Sequence, residues 1–369
     1  MIPLFRQYPA LRDKVPYTSL GGLPTPVHRL ENLGEELGSA ILYIKRDDLT
    51  GTVYGGNKIR KFEFILGQAL NDGVKDVITF GVAGTKHALF AAAAAKGAGL
   101  NSITMVHPNP KPFGEPANVL MAHYCGTELH HHRNFRLMLI GGAYQCLKRL
   151  LTRGRPPRLL RNRSCPLGTV GFVNAAFELR EQIERGEMPE PERIYVALGS
   201  MGTAVGLLLG LKATGLESRV IPVRVSAKSR TNAAAMARLF HDTNNLLHSQ
   251  DASFPEFELS ERDISINQEF TGESYLAFPP KAAEAVGLMN LTEGINLEGI
   301  YTGRSLAALI ADVKRGDVRG KVVLYWNTFN SRNLTPSLAS IDPRSLPQWM
   351  RRYYAEWATQ AKPRRERAI

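Results

Sequence analysis

Short apolar runs alternate with longer stretches of helical spacing from about residue 40 of the chain onward. Runs rich in β-branched and aromatic residues predict strands, and they are ILYIK (41–45), VITF (77–80), SITMVH (102–107), RIYVAL (193–198) and RVIPVRV (219–225). Apolar residues at helical spacing predict helices over His87 to Ala98, Gly168 to Arg185, Thr203 to Ala213 and Ser305 to Lys314. Strands that alternate with helices are typical of an α/β fold with parallel sheets.

Clusters of proline and glycine interrupt this alternation near residues 108–116, 154–160 and 273–281. After Pro343 the composition turns aromatic and basic, which predicts a surface helix followed by a disordered end. No internal repeat is visible. With 369 residues and 44% hydrophobic content, the chain is long enough for one large or two ordinary domains.

The sequence has no apolar run near the roughly 20 residues that a membrane span needs. Its N-terminus, MIPLFRQYPALRDKVPY, lacks the apolar stretch and cleavage site of a signal peptide. We therefore expect a cytoplasmic protein without a membrane partner. Cys125, Cys146 and Cys165 are too few and too scattered for a disulfide framework, which predicts buried or inert thiols.

The formal net charge of +12 raises the possibility of a nucleic-acid partner. Much of this charge lies in two runs, LTRGRPPRLLRNR (151–163) and KPRRER near the C-terminus. Neither run interleaves aromatic residues or matches a known docking motif. We expect a solvated face or an anion-attracting field, and no nucleic-acid partner.

The first candidate for chemistry is YGGNKIRKFEF (54–64), where Gly55 and Gly56 precede Lys58 at the start of a predicted helix. Glycines let the backbone approach a ligand closely. A lysine must lose its proton before it can form an imine, and burial is one way to lower its pKa. Taken alone, the motif fits either such a lysine or an ordinary solvated helix start.

The second candidate is ALGSMGTAVGL (197–207), which follows an apolar strand and leads into a helix. This order of strand, glycine-rich turn and helix presents backbone N–H groups to an anion. The glycines do not have the GxGxxG spacing of dinucleotide sites, and no GK[ST] of a P-loop follows. The turn therefore predicts a site for a phosphate monoester, although a tight turn that needs small residues is the structural alternative.

The third candidate is FGVAGTKHALF (80–90), where backbone amides and the side chains of Thr85, Lys86 and His87 lie at a predicted helix start. Such a helix start can hold a substrate carboxylate, although Lys86 and His87 would also fit a solvent-facing or capping role. The adjacent histidines His130 to His132 diverge in direction and lack spaced acidic partners, so we expect no metal site.

Five segments in this order carry a family resemblance: LPTPVHRLENL (23–33), IKRDDLTG (44–51), YGGNKIRKFEF (54–64), GSMGTAVGL (199–207) and YTGRSLAAL (301–309). They resemble the pyridoxal 5'-phosphate (PLP)-dependent family of D-cysteine desulfhydrase and 1-aminocyclopropane-1-carboxylate deaminase, which has fold type II. The resemblance covers about residues 20 to 335. It implies two open, twisted parallel-sheet α/β domains with PLP in the cleft, and a homodimer.

The resemblance also implies domain boundaries and residue roles. The large PLP-binding domain would comprise residues 1–60 and 169–343, the small domain 61–168, and a basic tail 344–369. Lys58 would form the internal aldimine with PLP. The residues expected to bind the cofactor are Lys58, Lys86, Gly199, Ser200, Met201, Gly202, Thr203 and Thr328, with Thr328 facing the pyridine nitrogen. The residues expected at the substrate are Thr85, Lys86 and His87 for the carboxylate, together with Tyr301 and Tyr275.

Two segments depart from the family pattern. GVAGTKH stands where the family usually has GGxQSNH, so Thr85 replaces a serine, and Lys86 replaces the asparagine beside the phenolic oxygen of the cofactor. The segment VVLYWNTFNS (322–331) replaces a strand that ends in HTGG. Lysine adds a positive charge where the family has a neutral amide, which bears directly on substrate choice.

The function implied is that of a PLP-dependent lyase or deaminase in which the freed Lys58 amine is the general base at Cα. A leaving group on Cβ, as in D-cysteine, would give α,β-elimination to a 2-oxo acid and ammonia. The bulkier Thr85 favours this over opening of the cyclopropane ring. An L-cysteate-type sulfo-lyase is an alternative, because Lys86 and His87 would suit a second anion. A PLP-binding protein with little catalysis is the alternative of another class.

Overall fold

The computed structural model of the protein describes residues 1–38, 41–108, 116–271 and 278–361. Its strands are β1 (Val27–Arg29), β2 (Ile41–Lys45), β3 (Asp76–Val82), β4 (Asn101–His107), β5 (Glu128–His131), β6 (Arg158–Leu159), β7 (Arg193–Leu198), β8 (Arg219–Arg224) and β9 (Val322–Trp326). Its helices are α1 (Pro3–Gln7), α2 (Leu11–Lys14), α3 (Glu31–Leu37), α4 (Lys58–Asn71), α5 (Lys86–Gly97), α6 (Pro116–Tyr124), α7 (Phe135–Arg153), α8 (Pro166–Glu184), α9 (Gly202–Thr214), α10 (Ala233–Gln250), α11 (Pro280–Glu293), α12 (Thr302–Arg315), α13 (Thr335–Ala339) and α14 (Gln348–Ala361).

These strands form two sheets. The larger has the order β1-β2-β9-β7-β8, and the smaller has the order β5-β4-β3-β6. All pairings are parallel except that of β1 with β2, which is antiparallel at one edge. The α/β fold with parallel sheets is therefore confirmed, with an antiparallel edge strand of the kind common in large mixed sheets.

The predicted strands and helices agree with the structure. The apolar runs at 41–45 and 193–198 coincide with β2 and β7, and the other three lie in β3, β4 and β8 within one residue at most ends. The predicted helices correspond to α5, α8, α9 and α12. Strands covered on both faces are continuously apolar, which explains why this part of the pattern was clear from the sequence.

Separate apolar clusters cover the two sheets. Helices α8, α9 and α10 contribute to a cluster on one face of the larger sheet, and α11 and α12 to a cluster on the other. Helices α4, α5 and α6 cover one face of the smaller sheet. A fourth, small cluster of Ile78, Ile103, Met105 and Met138 joins the opposite face of the smaller sheet to α7.

The strands of the smaller sheet all lie between residues 76 and 159, and those of the larger sheet lie outside this range. The exact domain boundaries stay a prediction. The surface helix expected after Pro343 is confirmed as α14, which packs on α6 with Met350 fully buried. The remainder of the predicted tail, 362–369, lies outside the described residues.

The loops that carry Thr85, the turn 199–203 and Thr328 follow the carboxyl ends of β3, β7 and β9, and the loop before Lys58 follows β2. In parallel α/β sheets this is the edge at which ligands bind. Of the helices that the structure describes, none is long and apolar enough to cross a membrane.

Candidate active site

Lys58 is the first residue of α4 and lies in the cleft between the two sheets, half-buried, with its Nζ 5.0 Å from the ring centroid of Phe90 on α5. Burial, together with the positive charges of Lys61 and Lys86, lowers the pKa of the Lys58 amine to about 7. A lysine with this pKa is substantially neutral at physiological pH, as a nucleophilic or basic amine must be.

The two glycines before Lys58 are required by close packing. A side chain at Gly55 would place its Cβ 2.2 Å from the carbonyl oxygen of Asp48. Gly56 has a φ of +118°, and a Cβ there would lie 2.7 Å from the Phe90 ring. Only glycine fits both positions. The close contacts of these two glycines fix the position of the backbone at the start of α4.

The end of β9 holds this loop in place. The backbone N–H of Asn57 donates to the carbonyl oxygen of Thr328 at 3.2 Å, and the N–H of Gly55 donates to Asn330 Oδ1 at 2.8 Å. Thr328 is buried, and among the described residues its hydroxyl has no hydrogen-bond partner. The structure thus brings Thr328 next to the loop of Lys58, and the hydroxyl of Thr328 is available to a ligand.

The predicted phosphate turn joins β7 to α9. Met201 has a φ of 72°, in the left-handed region that a non-glycine residue rarely adopts. This conformation turns the chain so that Gly202 begins α9, whose first N–H groups have no partner within the helix. Asn57, next to Lys58, donates from its Nδ2 to Thr203 Oγ1 at 2.8 Å. The turn and the lysine loop are therefore held together directly.

Sequence reasoning missed Ser164, which lies in the basic run before α8. Its hydroxyl accepts a hydrogen bond from the N–H of Gly202 at 3.0 Å and donates to Ser200 Oγ at 3.0 Å. A Cβ at Gly202 would lie 2.5 Å from Ser164 Oγ. Ser164 thus occupies the anion-binding end of the turn, and nothing in the pattern RNRSC distinguishes it.

Lys61, one turn after Lys58, was also not predicted from the sequence as a site residue. It is buried, and its Nζ donates to the carbonyl oxygens of Arg161 at 3.1 Å and Arg163 at 3.0 Å, in the same segment as Ser164. Burial lowers its pKa to about 8. Lys61 therefore adds a cation beside the phosphate turn.

The third loop places Thr85 at the N-cap of α5, where its hydroxyl makes no capping hydrogen bond. Lys86 begins the helix. Its Nζ lies 3.0 Å from Glu298 Oε2 in an ion pair, and 4.4 Å from the ring centroid of Phe329. Glu298 was not predicted as a site residue. The ion pair of Glu298 with Lys86 connects α5, which packs on the smaller sheet, to the loop before α12 across the cleft.

Of the three remaining predicted residues, Tyr301 borders the site, His87 is buried beside it, and Tyr275 is not described. The ring of Tyr301 borders the phosphate turn, because a Cβ at Gly199 would be 2.9 Å from Tyr301 Cε1. His87 is buried, with its Nε2 3.1 Å from the carbonyl oxygen of Leu160, and burial lowers its pKa to about 3. A neutral imidazole supplies no charge to a carboxylate, and the role predicted for His87 stays a prediction. Tyr275 lies outside the described residues.

A buried ionic network lies beneath Lys58. The guanidinium of Arg60 donates to both carboxylate oxygens of Asp47 at 2.9 and 2.7 Å, and to Glu178 at 2.9 and 3.0 Å. Glu178 also accepts from Lys45 at 2.6 Å. The indole N–H of Trp326, at the end of β9, donates to Asp47 at 2.8 Å. The network therefore joins α4, α8 and β9 under the site, and it explains why the charges of Lys45 and Asp47 in the KRDD segment are buried.

The geometry defines an α/β enzyme site with a low-pKa lysine and an anion-binding turn at the carboxyl edge of parallel strands. The sequence profile of the pyridoxal-phosphate dependent enzymes matches residues 18–328. The chain belongs to this family.

Individual relatives agree with this assignment. A protein of Pyrococcus horikoshii, provisionally named a 1-aminocyclopropane-1-carboxylate deaminase, is 32% identical over 86% of this chain and 93% of its own length. The D-cysteine desulfhydrase of Klebsiella pneumoniae is 30% identical over 80% of this chain and 88% of its own. A crystal structure of an ACC deaminase homologue has a TM-score of 0.71 and 30% identity, covering 87% of this chain and 93% of that one.

The residues present fit pyridoxal phosphate, which the enzyme uses as its cofactor. The phosphate matches the turn at Gly199 to Thr203, where the N–H of Gly202 now donates to Ser164. The carbonyl carbon of the cofactor requires a neutral amine, which Lys58 provides. The Thr328 hydroxyl, which has no partner among the described residues, would provide a neutral group for the ring nitrogen. No group of three or more metal-ligating side chains occurs in the described part of the chain.

Proposed function

We propose that this enzyme catalyses α,β-elimination from a small amino acid with a leaving group on Cβ, of the D-cysteine type, to give a 2-oxo acid and ammonia. The observation that carries the proposal is the Lys58 amine in the cleft beside the phosphate turn, whose pKa of about 7 makes the neutral form readily available near pH 7. The names of the relatives, a desulfhydrase and a deaminase, describe reactions of small amino acids of this kind.

Each residue of the site has a definite task in this reaction. Pyridoxal phosphate, when bound, supplies the electron sink for the charge that develops at the Cα of the amino acid. Lys58 removes the proton from Cα, because its neutral Nζ is a base of suitable strength near pH 7. Thr85 and the first N–H groups of α5 hold the substrate carboxylate, since the Thr85 hydroxyl makes no capping bond.

Other residues position the cofactor and the leaving group. Ser200, Met201, Gly202 and Thr203 present backbone N–H groups to the phosphate, and Lys61 adds a positive charge beside them. Thr328, as a neutral partner, faces the ring nitrogen. Tyr301 stands over the turn and is placed to donate a proton to the leaving group.

The ion pair of Lys86 favours a substrate with one carboxylate over a substrate with two anionic groups. Lys86 would supply the extra cation for a sulfonate, but its Nζ is 3.0 Å from a Glu298 carboxylate oxygen. The pair is nearly neutral as a unit, and a sulfonate would lie beside the Glu298 charge. This arrangement supports a cysteine-type substrate over an L-cysteate-type substrate.

A second candidate is deamination of 1-aminocyclopropane-1-carboxylate. It is favoured by the name of the Pyrococcus horikoshii relative and by the structural neighbour with a TM-score of 0.71. Against it, the Thr85 methyl group narrows the pocket relative to the serine of the family pattern. Elimination from an open-chain substrate needs less room at this position.

A substrate panel tests the proposal. Purified enzyme is incubated with D-cysteine, L-cysteine, 1-aminocyclopropane-1-carboxylate and L-cysteate, and 2-oxo acid, ammonia and sulfide are measured, with Lys58→Ala as the blank. We expect equal amounts of sulfide and 2-oxo acid from D-cysteine. Product from 1-aminocyclopropane-1-carboxylate alone would favour the second candidate. Cofactor absorbance that no substrate changes would favour a PLP-binding protein with little catalysis.

We also propose that the enzyme is a cytoplasmic homodimer. A cytoplasmic location is supported by Cys125, Cys146 and Cys165, all of which are free thiols. A homodimer is supported by the family resemblance, and sedimentation equilibrium of the purified protein measures it directly. Nucleic acid is not expected as a partner, and a binding titration at low and high salt tests this.

A further inference from the structure

Helix α7 presents a row of large apolar side chains to solvent. Its inner side packs on the smaller sheet, where Met138 is fully buried and the ring of Phe80 fills the space beside Gly142. The exposed apolar residues of this helix, which we call the α7 outer face, are Phe135, Leu137, Leu139, Ile140, Tyr144, Leu147, Leu150 and Leu151. Leu151 is 76% exposed and Ile140 is 66% exposed.

The spacing of these residues forms one continuous stripe. Ile140, Tyr144, Leu147 and Leu151 follow each other at intervals of four, three and four residues, which places them in one row along the helix. A helix that is apolar on all sides is normally buried. Large contiguous apolar patches on a protein surface mark interaction sites. A partner is therefore expected to cover the α7 outer face.

The charge around this face is predominantly positive, although Glu128, which pairs with Arg149, borders it. Between residues 129 and 177 the chain has no Asp or Glu but has nine Lys and Arg residues. Arg149 and Arg153 are paired with Asp76. In the described part of the chain no ion pair engages Arg136 or Lys148, which are exposed. Arg136 is one turn before Ile140, and Lys148 lies between Tyr144 and Leu151, so cations flank the apolar stripe directly.

We propose that the α7 outer face docks on an anionic phospholipid surface, with α7 parallel to the membrane plane. The leucines and Ile140 would enter the boundary between headgroups and acyl chains, while Arg136 and Lys148 contact the acidic headgroups. Tyr144 has the amphipathic ring typical of this boundary. The four cations within α7 hold the helix at the interface instead of inside the hydrocarbon.

The charges argue against a second copy of the chain as the occupant. A two-fold contact pairs the same surface patch of both subunits. Two copies of α7 would then oppose Arg136 and Lys148 of one copy to cations of the other, and no ion pair among the described residues compensates these two side chains. An acidic lipid surface supplies both the missing negative charge and an apolar layer. The proposal does not depend on the reaction proposed above, and it departs from the expectation, drawn from the sequence, that the protein has no membrane partner.

Vesicle sedimentation with the complete, cofactor-loaded enzyme tests the proposal. One set of vesicles contains phosphatidylcholine alone, and the other contains phosphatidylcholine with phosphatidylglycerol. We expect binding to the anionic vesicles only. Leu151→Glu should lower the partition coefficient about tenfold or more, because it places a charge in the apolar stripe. The matched control is Leu291→Glu on α11, at a leucine that is 84% exposed, and it should bind like the wild type.

Three results would overturn the proposal. The first is a wild-type enzyme that does not sediment with anionic vesicles. The second is binding that Arg136→Gln/Lys148→Gln abolishes but Leu151→Glu leaves unchanged, which would mean charge attraction without docking of the face. The third is a Leu151→Glu protein that becomes monomeric while the wild type binds no vesicles, which would identify a second copy as the occupant.

A further variant keeps the test decisive if Leu151→Glu does not fold. In Tyr144→Trp the new indole reports directly on the environment of the α7 outer face. We expect a blue shift of its emission on addition of anionic vesicles and none with phosphatidylcholine vesicles. Unchanged emission in the folded, cofactor-loaded variant contradicts docking of this face.

Discussion

Lys86 Nζ and Glu298 Oε2 form an ion pair of 3.0 Å that connects the N-terminus of α5 to the loop before α12. The same carboxylate accepts hydrogen bonds from the backbone N–H groups of Ile300, Tyr301 and Thr302. It therefore fixes the start of α12, and with it Tyr301, relative to the helix that carries Thr85. The pair also lies close enough to Lys58 for the charge of Lys86 to lower the pKa of Lys58.

The first prediction concerns this coupling. Because Lys58 must be neutral to capture the cofactor, we expect the rate of PLP uptake by the apoenzyme to rise with pH through about 7. Lys86→Met removes a cation and leaves the Glu298 carboxylate uncompensated, and both changes raise the pKa of Lys58. The midpoint of the pH profile should then move to higher pH, as measured by stopped-flow absorbance.

A matched control is available on the same helix. Lys96→Met removes an exposed lysine at the other end of α5 and should leave the midpoint where it is in the wild type. A midpoint that Lys86→Met leaves unchanged, or moves to lower pH, would show that Lys86 does not tune Lys58.

The second prediction concerns Ser164. Ser164→Ala removes the acceptor for the Gly202 N–H and the donor to Ser200. We expect the PLP dissociation constant to rise about fivefold, the value of one hydrogen bond of roughly 1 kcal/mol. Fluorescence titration of the apoenzyme measures it, and Ser249→Ala on the exposed side of α10 serves as the control. Equal dissociation constants for Ser164→Ala and the wild type would remove Ser164 from the cofactor site.

The third prediction concerns the buried network. Arg60→Met leaves the carboxylates of Asp47 and Glu178 buried without their main partner. Loss of one member of such a network costs about 3 to 5 kcal/mol of unfolding free energy. The exposed i,i+4 pair of Arg180 and Glu184 is the comparison, and Arg180→Ala should cost no more than about 0.5 kcal/mol. Urea denaturation of both variants measures the difference, and similar losses would contradict a structural role for the network.

The fourth prediction concerns Glu63, whose carboxylate accepts from the backbone N–H of Leu20 at 3.1 Å and from the Tyr17 hydroxyl at 3.3 Å. Burial raises its pKa from about 4.5 to about 7. Between these two values the folded protein keeps a proton that the unfolded chain releases, so stability falls as pH rises through this window. Above about pH 7 the penalty is complete.

Glu63→Gln removes this titration but keeps an acceptor for the Leu20 N–H. We expect the variant to be more stable than the wild type at pH 8 by about 1 to 3 kcal/mol. The difference should shrink as the pH is lowered to 5. Urea denaturation at a series of pH values measures it, and parallel pH profiles for the two proteins would show that Glu63 is ionised without penalty.

The parts of the fold that could be predicted are those with a local signal. Apolar runs such as 193–198 coincide with β7 because the strand is covered on both faces. The glycines at 55 and 56 indicated a close backbone approach before Lys58, and the structure places Asp48 and Phe90 against them. The family resemblance pointed to Lys58 as the residue that would bind the cofactor, a choice that the motif alone left open.

The missed parts depend on contacts between residues distant in the chain. Lys86 and Glu298 are separated by 212 positions, and neither has a neighbour pattern that points to the other. Ser164 is a single serine in a basic run, and its role becomes visible only when α8 is packed against α9. The apolar spacing of α7 predicts burial, whereas the fold leaves Leu151 and Ile140 largely exposed.

Mass spectrometry of the borohydride-reduced enzyme tests the central claim most directly, because reduction fixes the cofactor on the lysine that holds it. We expect a phosphopyridoxyl label on the peptide that contains Lys58, and none on Lys61 or Lys86, although both lie nearby. A label on either of these lysines, or an unlabelled enzyme after incubation with PLP, would contradict the assignment of Lys58 as the catalytic lysine.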